Sequence, residues 1–426
     1  MARGVPRGGM LGLLISLFLF TQAHSNSYDN WPYVIRTANE TRAIQLVERL
    51  INQTDYRVRP NIYGAPLNVM CDFYVQNIGS VNAIDMDFQV DVFFRQKWKD
   101  ERFAFTEQVD PVIIPSQMIS RFWVPDIFFT NEKSAYVHDI TVPNQVIKIF
   151  PSGLVRLSTR MTLKLSCPMI LKNFPLDYQD CNIRFSSYSY TTNDVTMEWG
   201  KANPVELNRE GLYMPQFELL STEAMSCADK LSTGSFPCLK VIFHLKRQFG
   251  YYLLQAYVPS LLIVILSWVS FWVHKEAVPA RITLGVTTVL TMTTQLTNSG
   301  SNAIAVSYAK AIDIWYAFCM ILVFSALIEY AVVNSLVRME TKRESKKRKN
   351  TVKDSTIVDI QHPADENGRK NVQRTASTSS GYLRFQNGHW TSEAVDRIAR
   401  IIFPIVFIAF NIVYWILFSQ HIVHTR

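Results

Sequence analysis

Hydrophobic and polar residues alternate singly over the first half of the chain and gather into long runs over the second. In "MDFQVDVFFRQKW", Met86, Phe88, Val90, Val92 and Phe94 share one face, and Asp87, Gln89, Asp91 and Arg95 the other. "LVRLSTRMTLKLS" repeats the arrangement, with Val155, Leu157, Met161, Leu163 and Leu165 against Arg156, Ser158, Arg160 and Lys164. A period of two belongs to a half-buried strand. Several such runs, separated by Pro, Gly and Asn turns, predict a β-sandwich.

Beyond Gly250 the texture changes. Tyr251 to Val273, Trp315 to Leu336 and Ile401 to Phe418 are apolar runs. Each is long enough, or nearly so, to cross about 30 Å of hydrocarbon. Trp and Tyr cluster at their ends, as interfacial anchors do. Glu329, inside the second run, requires a partner or a polar depth. A fourth segment, "PARITLGVTTVLTMTTQLTNSGSN", is less apolar but more regular. Thr283, Thr287, Leu290, Thr294 and Thr297 are spaced four, three, four and three apart, one stripe on a helix. Such a face either lines a wet axis shared by several copies or packs against neighbouring helices. The spacing favours the axis. Arg281 then supplies a ring of positive charge at one mouth, beside the positive ends of the helices, unless it is a snorkelling anchor. Leu290 supplies an apolar ring that closes by dewetting, unless it is ordinary packing surface, and the threonine hydroxyls are hydrogen-bond donors.

Composition sharpens this picture. The 426 residues are 48% hydrophobic, and the mean hydropathy is slightly positive. A net charge of +8 is compatible with a nucleic-acid partner, but much of it lies in "RMETKRESKKRKN", directly after an apolar run. That placement suits a cytoplasmic flank, and no nucleic-acid partner is expected. At the start, a basic "MARGVPRGG", an apolar "MLGLLISLFLF" and the small residues of "AHS" read as a secretory signal peptide. The mature start is then extracellular, where the sequons at Asn39 and Asn52 are usable for glycosylation. Six cysteines are too few for a dense disulfide scaffold. Outside the cell, Cys167 and Cys181 are a plausible bridge around thirteen residues, and Cys227 and Cys238 around ten. Cys71 and Cys319 read as packed thiols. No paired carboxylates, Cys/His metal spacing or Gly-rich phosphate loop stands out, so neither an enzyme nor a cofactor is expected.

A cysteine loop containing "FPLD", then "FGYYLLQAYVPSLLIVILSWVSFWV", "PARITLGVTTVLTMTT" and "SYAKAIDIW" closely resembles the Cys-loop pentameric ligand-gated ion channels. "PAR" before the stripe and the second cysteine pair point to the anion-selective branch, where the chain resembles glycine receptors and invertebrate glutamate-gated chloride channels. The resemblance implies an α+β membrane protein: an extracellular β-sandwich, then a four-helix transmembrane bundle, assembled as a homo- or hetero-pentamer. The expected organisation is a signal peptide over 1–25, the ligand-binding domain over 26–250 and three transmembrane helices over 251–337, with the pore helix at about 282–302. A disordered cytoplasmic loop follows over 338–397, then a fourth helix over 398–419 and an extracellular tail over 420–426. Localisation is expected at the plasma membrane, postsynaptic.

The resemblance also assigns roles. The loop meets the membrane domain through Phe174 and Pro175, and Asp177 pairs with Arg247. Pro279 and Ala280 match the anion pattern, since cation-selective relatives carry Glu at the second position. Ligand binds between subunits. One face offers Phe128, Ser187, Tyr188, Tyr190, Thr233 and Phe236, and the other offers Arg95 and Ser158. Aromatic faces attract an ammonium group and Arg grips a carboxylate, which suits a small amino acid. "SYSYTTND" and Thr283 favour glutamate. Against it, glutamate channels place a second Arg where this chain has Gln76, and Phe236 resembles the glycine side. Glutamate is the expected agonist, with glycine, another small amino acid or protons as alternatives. An auxiliary, non-conducting subunit is the reading of a different class.

Overall fold

A computed structural model describes residues 38–106, 111–200, 203–301, 306–358 and 391–419. The expected signal peptide and extracellular tail lie outside these residues.

Helix α1 (Ala38–Asn52) turns Leu46 and Leu50 into the core of a two-sheet domain. Asn39 falls in its first turn and Asn52, its last residue, is exposed. The strands are β1 (Leu67–Asn82), β2 (Asp87–Lys99), β3 (Val112–Ile114), β4 (Ile127–Phe129), β5 (Glu132–Val137) and β6 (Gln145–Ile149). They continue as β7 (Leu154–Ser166), β8 (Tyr178–Ser187), β9 (Val195–Trp199), β10 (Val205–Leu207), β11 (Phe217–Leu231) and β12 (Gly234–Arg247). The larger sheet runs β10-β1-β2-β7-β6-β3, with β5 added to β7 and β9 to β1; the smaller runs β11-β12-β8-β4.

The alternation of β2 is realised directly. Phe88, Val90, Val92 and Phe94 are all at most 2% exposed. Phe94 stacks on Phe73 of β1 at 4.9 Å, and Phe185 of β8 meets both rings edge-on at 5.4 and 5.2 Å. Each such ring contributes about 1.5–3 kcal/mol through burial. One position departs from the pattern: Asp87 is buried, held by Lys133 at 2.8 Å and Lys164 at 3.3 Å.

Four helical segments follow: α2 (Gly250–Trp272), α3 (Val278–Ser301), α4 (Ala311–Val358) and α5 (Ser392–Ser419). Three of them, α2, α4 and α5, are long and apolar enough to cross a membrane. The fourth, α3, carries the threonine stripe; its 24 residues span about 36 Å at 1.5 Å each. It starts at Val278, ahead of the expected 282, since Pro279 is well suited to a first helical turn.

The expected disordered loop is corrected in part. Residues 338–358 continue α4 as helix, and α5 begins at Ser392 rather than 398; residues 359–390 lie outside the described set. Lys, Arg and Glu are good helix formers, and Glu344 lies four residues before Arg348. The extension also has a use. The Glu340 carboxylate accepts from Ser392 N at 2.9 Å and Ser392 Oγ at 2.8 Å, capping the start of α5.

Candidate functional site

The aromatic face forms where β4, β8 and the β11–β12 hairpin adjoin. Phe128 and Tyr188, 39% and 75% exposed, meet edge-to-face at 5.6 Å. Thr233 is exposed at the hairpin tip and Phe236 half-buried on β12. At that tip Gly234 has φ +145°, a conformation side chains rarely adopt. Cys227 and Cys238 are cross-strand neighbours and form a disulfide across the hairpin.

Two residues assigned to this face play another part. Ser187 is 3% exposed: its hydroxyl donates to Asp126 Oδ1 at 2.6 Å and accepts from Tyr190 N at 3.1 Å. Tyr190 is half-buried, its hydroxyl accepting from Trp123 Nε1 at 3.3 Å. Both are engaged with neighbouring groups of the same face, Ser187 with Asp126 and Tyr190 with Trp123. Asp126 and Trp123 escaped the sequence reading because neither stands in an alternating run.

The polar face lies on the solvent side of the larger sheet. Arg95 of β2 and Ser158 of β7 are direct cross-strand partners. Arg95 Nη1 meets Asp72 Oδ1 at 3.3 Å and Glu206 Oε2 at 3.0 Å, and the guanidinium lies over Tyr74 at 5.6 Å. Both acceptors use Nη1; among the described residues no acceptor meets Nη2 or Nε. This buttress leaves no local signature, because β1 and β10 pair in parallel from distant segments. Phe94, on the opposite side of β2, packs in the core, so the aromatic and polar faces do not converge within one chain.

Below the sandwich, the Cys167–Cys181 disulfide closes the predicted loop. Its Phe174–Pro175 bond is cis, and Pro175 is buried. Asp177 and Arg247, each 2% exposed at the side chain, join through Nε–Oδ1 at 2.8 Å and Nη2–Oδ2 at 3.1 Å. The guanidinium is sandwiched between Phe174 at 4.8 Å and Phe217 at 4.4 Å. Phe174 also meets Tyr252 of α2 at 4.9 Å. The backbone carbonyls of Lys172 and Phe174 accept from Ala311 N at 3.0 Å and Ile312 N at 3.2 Å. These are among the N–H groups a helix start leaves unsatisfied, so the loop itself caps α4. Burial pushes the Cys71 thiol of β1 upward in pKa, away from the reactive thiolate.

In α3, Thr283, Thr287, Leu290, Thr294 and Thr297 are all exposed, Leu290 at 62%. Pro279 and Ala280 are exposed at its start. Arg281, Thr288 and Met292 are buried on the other side. The hydroxyls bond back to their own helix: Thr283 Oγ1 donates to Pro279 O at 2.8 Å, Thr287 to Thr283 O at 2.6 Å and Thr294 to Thr291 O at 2.8 Å. A carbonyl only accepts, so each hydroxyl proton is committed.

Arg281 is the main correction. It is 1% exposed and turned into the bundle, where Nη1 and Nη2 meet Asp396 of α5 at 2.9 and 2.8 Å and Nε donates to Val273 O at 3.0 Å. The reason is helical phase. At 3.6 residues per turn, Arg281 lies about 200° from Thr283 and in line with Thr288. Ala280, one step back, does fall on the stripe. Glu329 of α4, the misfit of the second apolar run, lies beside Asp396 and Arg281. Asp396 was legible in principle, since an acid next to an apolar run needs a cation.

Residues 43–249 match the family described as neurotransmitter-gated ion-channel ligand binding domain, and residues 256–389 the neurotransmitter-gated ion-channel transmembrane region. The sandwich, the disulfide-closed loop and the apolar helices thus define a multi-pass channel subunit. The chain belongs to the neurotransmitter-gated ion channels, the Cys-loop superfamily, whose members assemble as pentamers, open to small-molecule ligands and conduct ions.

Proposed function

We propose that the chain is a subunit of a pentameric chloride channel of the plasma membrane, postsynaptic, opened by extracellular glutamate. The observation that carries anion selectivity is the exposed face of α3. It offers Pro279, Ala280, Thr283, Thr287, Leu290 and Thr294, and no carboxylate. With Arg281 matched by Asp396, attraction for anions at the inner mouth comes from the helix amino termini and from the basic extension of α4. The agonist reading rests on two faces suited to an ammonium and a carboxylate, supplied by different subunits. Glycine is the second reading, favoured by the uncharged Gln76. The Cys167–Cys181 loop transmits ligand closure to α4, whose first N–H groups it holds.

Two results are expected from oocytes expressing the full chain. Glutamate evokes currents that reverse at the chloride potential and follow it when external chloride is replaced. Reversal at the sodium potential rejects the anion reading, and silence with normal surface levels favours an auxiliary subunit. Leu290→Thr raises agonist sensitivity and resting leak, because a hydroxyl wets the constriction; unaltered leak and sensitivity place the gate elsewhere.

A further inference from the structure

The solvent side of the larger sheet carries more cations than its carboxylates neutralise. The register sets Lys97 of β2 opposite Arg156 of β7, and Arg156 opposite Lys148 of β6. Like charges directly opposite one another on adjacent strands are destabilising. Lys97 is relieved by Asp72 at 2.8 Å, and Arg95 by Asp72 and Glu206. Among the described residues Arg156 and Lys148 have no such relief.

Arg156 is also well placed. It lies two residues from Ser158 on the same strand and the same face, about 6.6 Å away. The intervening Leu157 and preceding Val155 point into the core, 5% and 0% exposed. Arg160, two residues beyond Ser158, is otherwise engaged: its guanidinium lies over Phe93 at 5.8 Å and its Nε is buried. Gln76 cannot supply charge, and it falls at an irregularity in the β1–β2 pairing, between Val75 and Asn77.

We propose that Arg156, flanked by Lys148, binds the side-chain carboxylate of a dicarboxylic amino acid, while Arg95 and Ser158 bind its α-carboxylate. This rests on the ligand faces proposed above. It supplies the cation that the Gln76 position lacks. Glutamate separates its carboxylates by three carbons, a reach comparable to one same-face step along β7. A neutral amino acid leaves the Lys148–Arg156 repulsion in place, whereas a second carboxylate relieves it. The chemistry therefore selects dicarboxylates over glycine.

The test uses the full chain in oocytes, with glutamate as probe and surface biotinylation as the control for folding. Arg156→Lys, Arg156→Gln and Arg156→Glu are expected to raise the glutamate EC50 in that order. The Gln variant should shift it by roughly 10- to 100-fold, the range for a lost hydrogen bond to a charged group. Lys148→Gln gives a smaller shift in the same direction. A flat series at equal surface level overturns this proposal alone and leaves the agonist reading standing. A wild-type channel that opens to glycine and to no dicarboxylate overturns both.

Discussion

Asp177→Asn is expected to remove nearly all agonist-evoked current and most of the channel from the cell surface. The substitution keeps the shape of the side chain and deletes its charge. Arg247 is then a guanidinium 2% exposed at the side chain, between two aromatic rings, without a counter-ion. Breaking one partner of a buried pair costs about 3–5 kcal/mol, a large share of a domain's stability. Arg247→Lys should fail almost as badly, since a lysine loses both the two-point grip and the stacking on Phe174 and Phe217. A second variant separates folding from coupling. Replacing both partners by apolar residues, Asp177→Leu with Arg247→Met, removes the uncompensated charge and should restore surface level. Current should stay strongly reduced, because the loop is no longer tied to the chain that enters α2. Full agonist-evoked current in that double variant would show the pair to be a structural staple only.

This pair came from the resemblance, which placed the acid near the tip of the cysteine loop against the Arg just ahead of the first span. The strands were legible directly, since burial on one side writes a period of two into β2 and β7. Local spacing fails where the partner is remote. Ser187 ends a strand whose last three residues are all buried, so alternation gives no hint of its bond to Asp126. The buttress of Arg95 depends on β10 joining β1 across more than a hundred residues. The basic run in the last part of α4 looked unstructured by charge, yet a rigid span upstream and the Glu340 cap on α5 give it reason to remain helical. For Arg281 the information was present but misapplied: charge and proximity to the stripe suggested the axis, whereas counting 100° per residue turns it inward.

Asp396→Ala is the second substitution with a large expected effect. Arg281 has both terminal nitrogens on this carboxylate, and the two side chains are 1% and 8% exposed. Without Asp396 the guanidinium retains Val273 O and lies beside the half-buried Glu329. Truncation should cost about 3–5 kcal/mol and sharply lower surface expression, measured by biotinylation. Asp396→Leu combined with Arg281→Met and Glu329→Leu should recover it, because a matched apolar set leaves no charge stranded. The recovered channel then decides where selectivity resides. If anions are drawn by helix ends and by an axis free of carboxylates, its currents still reverse at the chloride potential. A shift of reversal towards sodium would mean that Arg281 governs permeation through the helix wall, and that its burial against Asp396 does not silence its field. Chloride reversal in the absence of both charges would assign the pair to holding α5 against α3, a packing role that hydroxyl-lined helices need, since polar faces alone do not hold a bundle together in lipid.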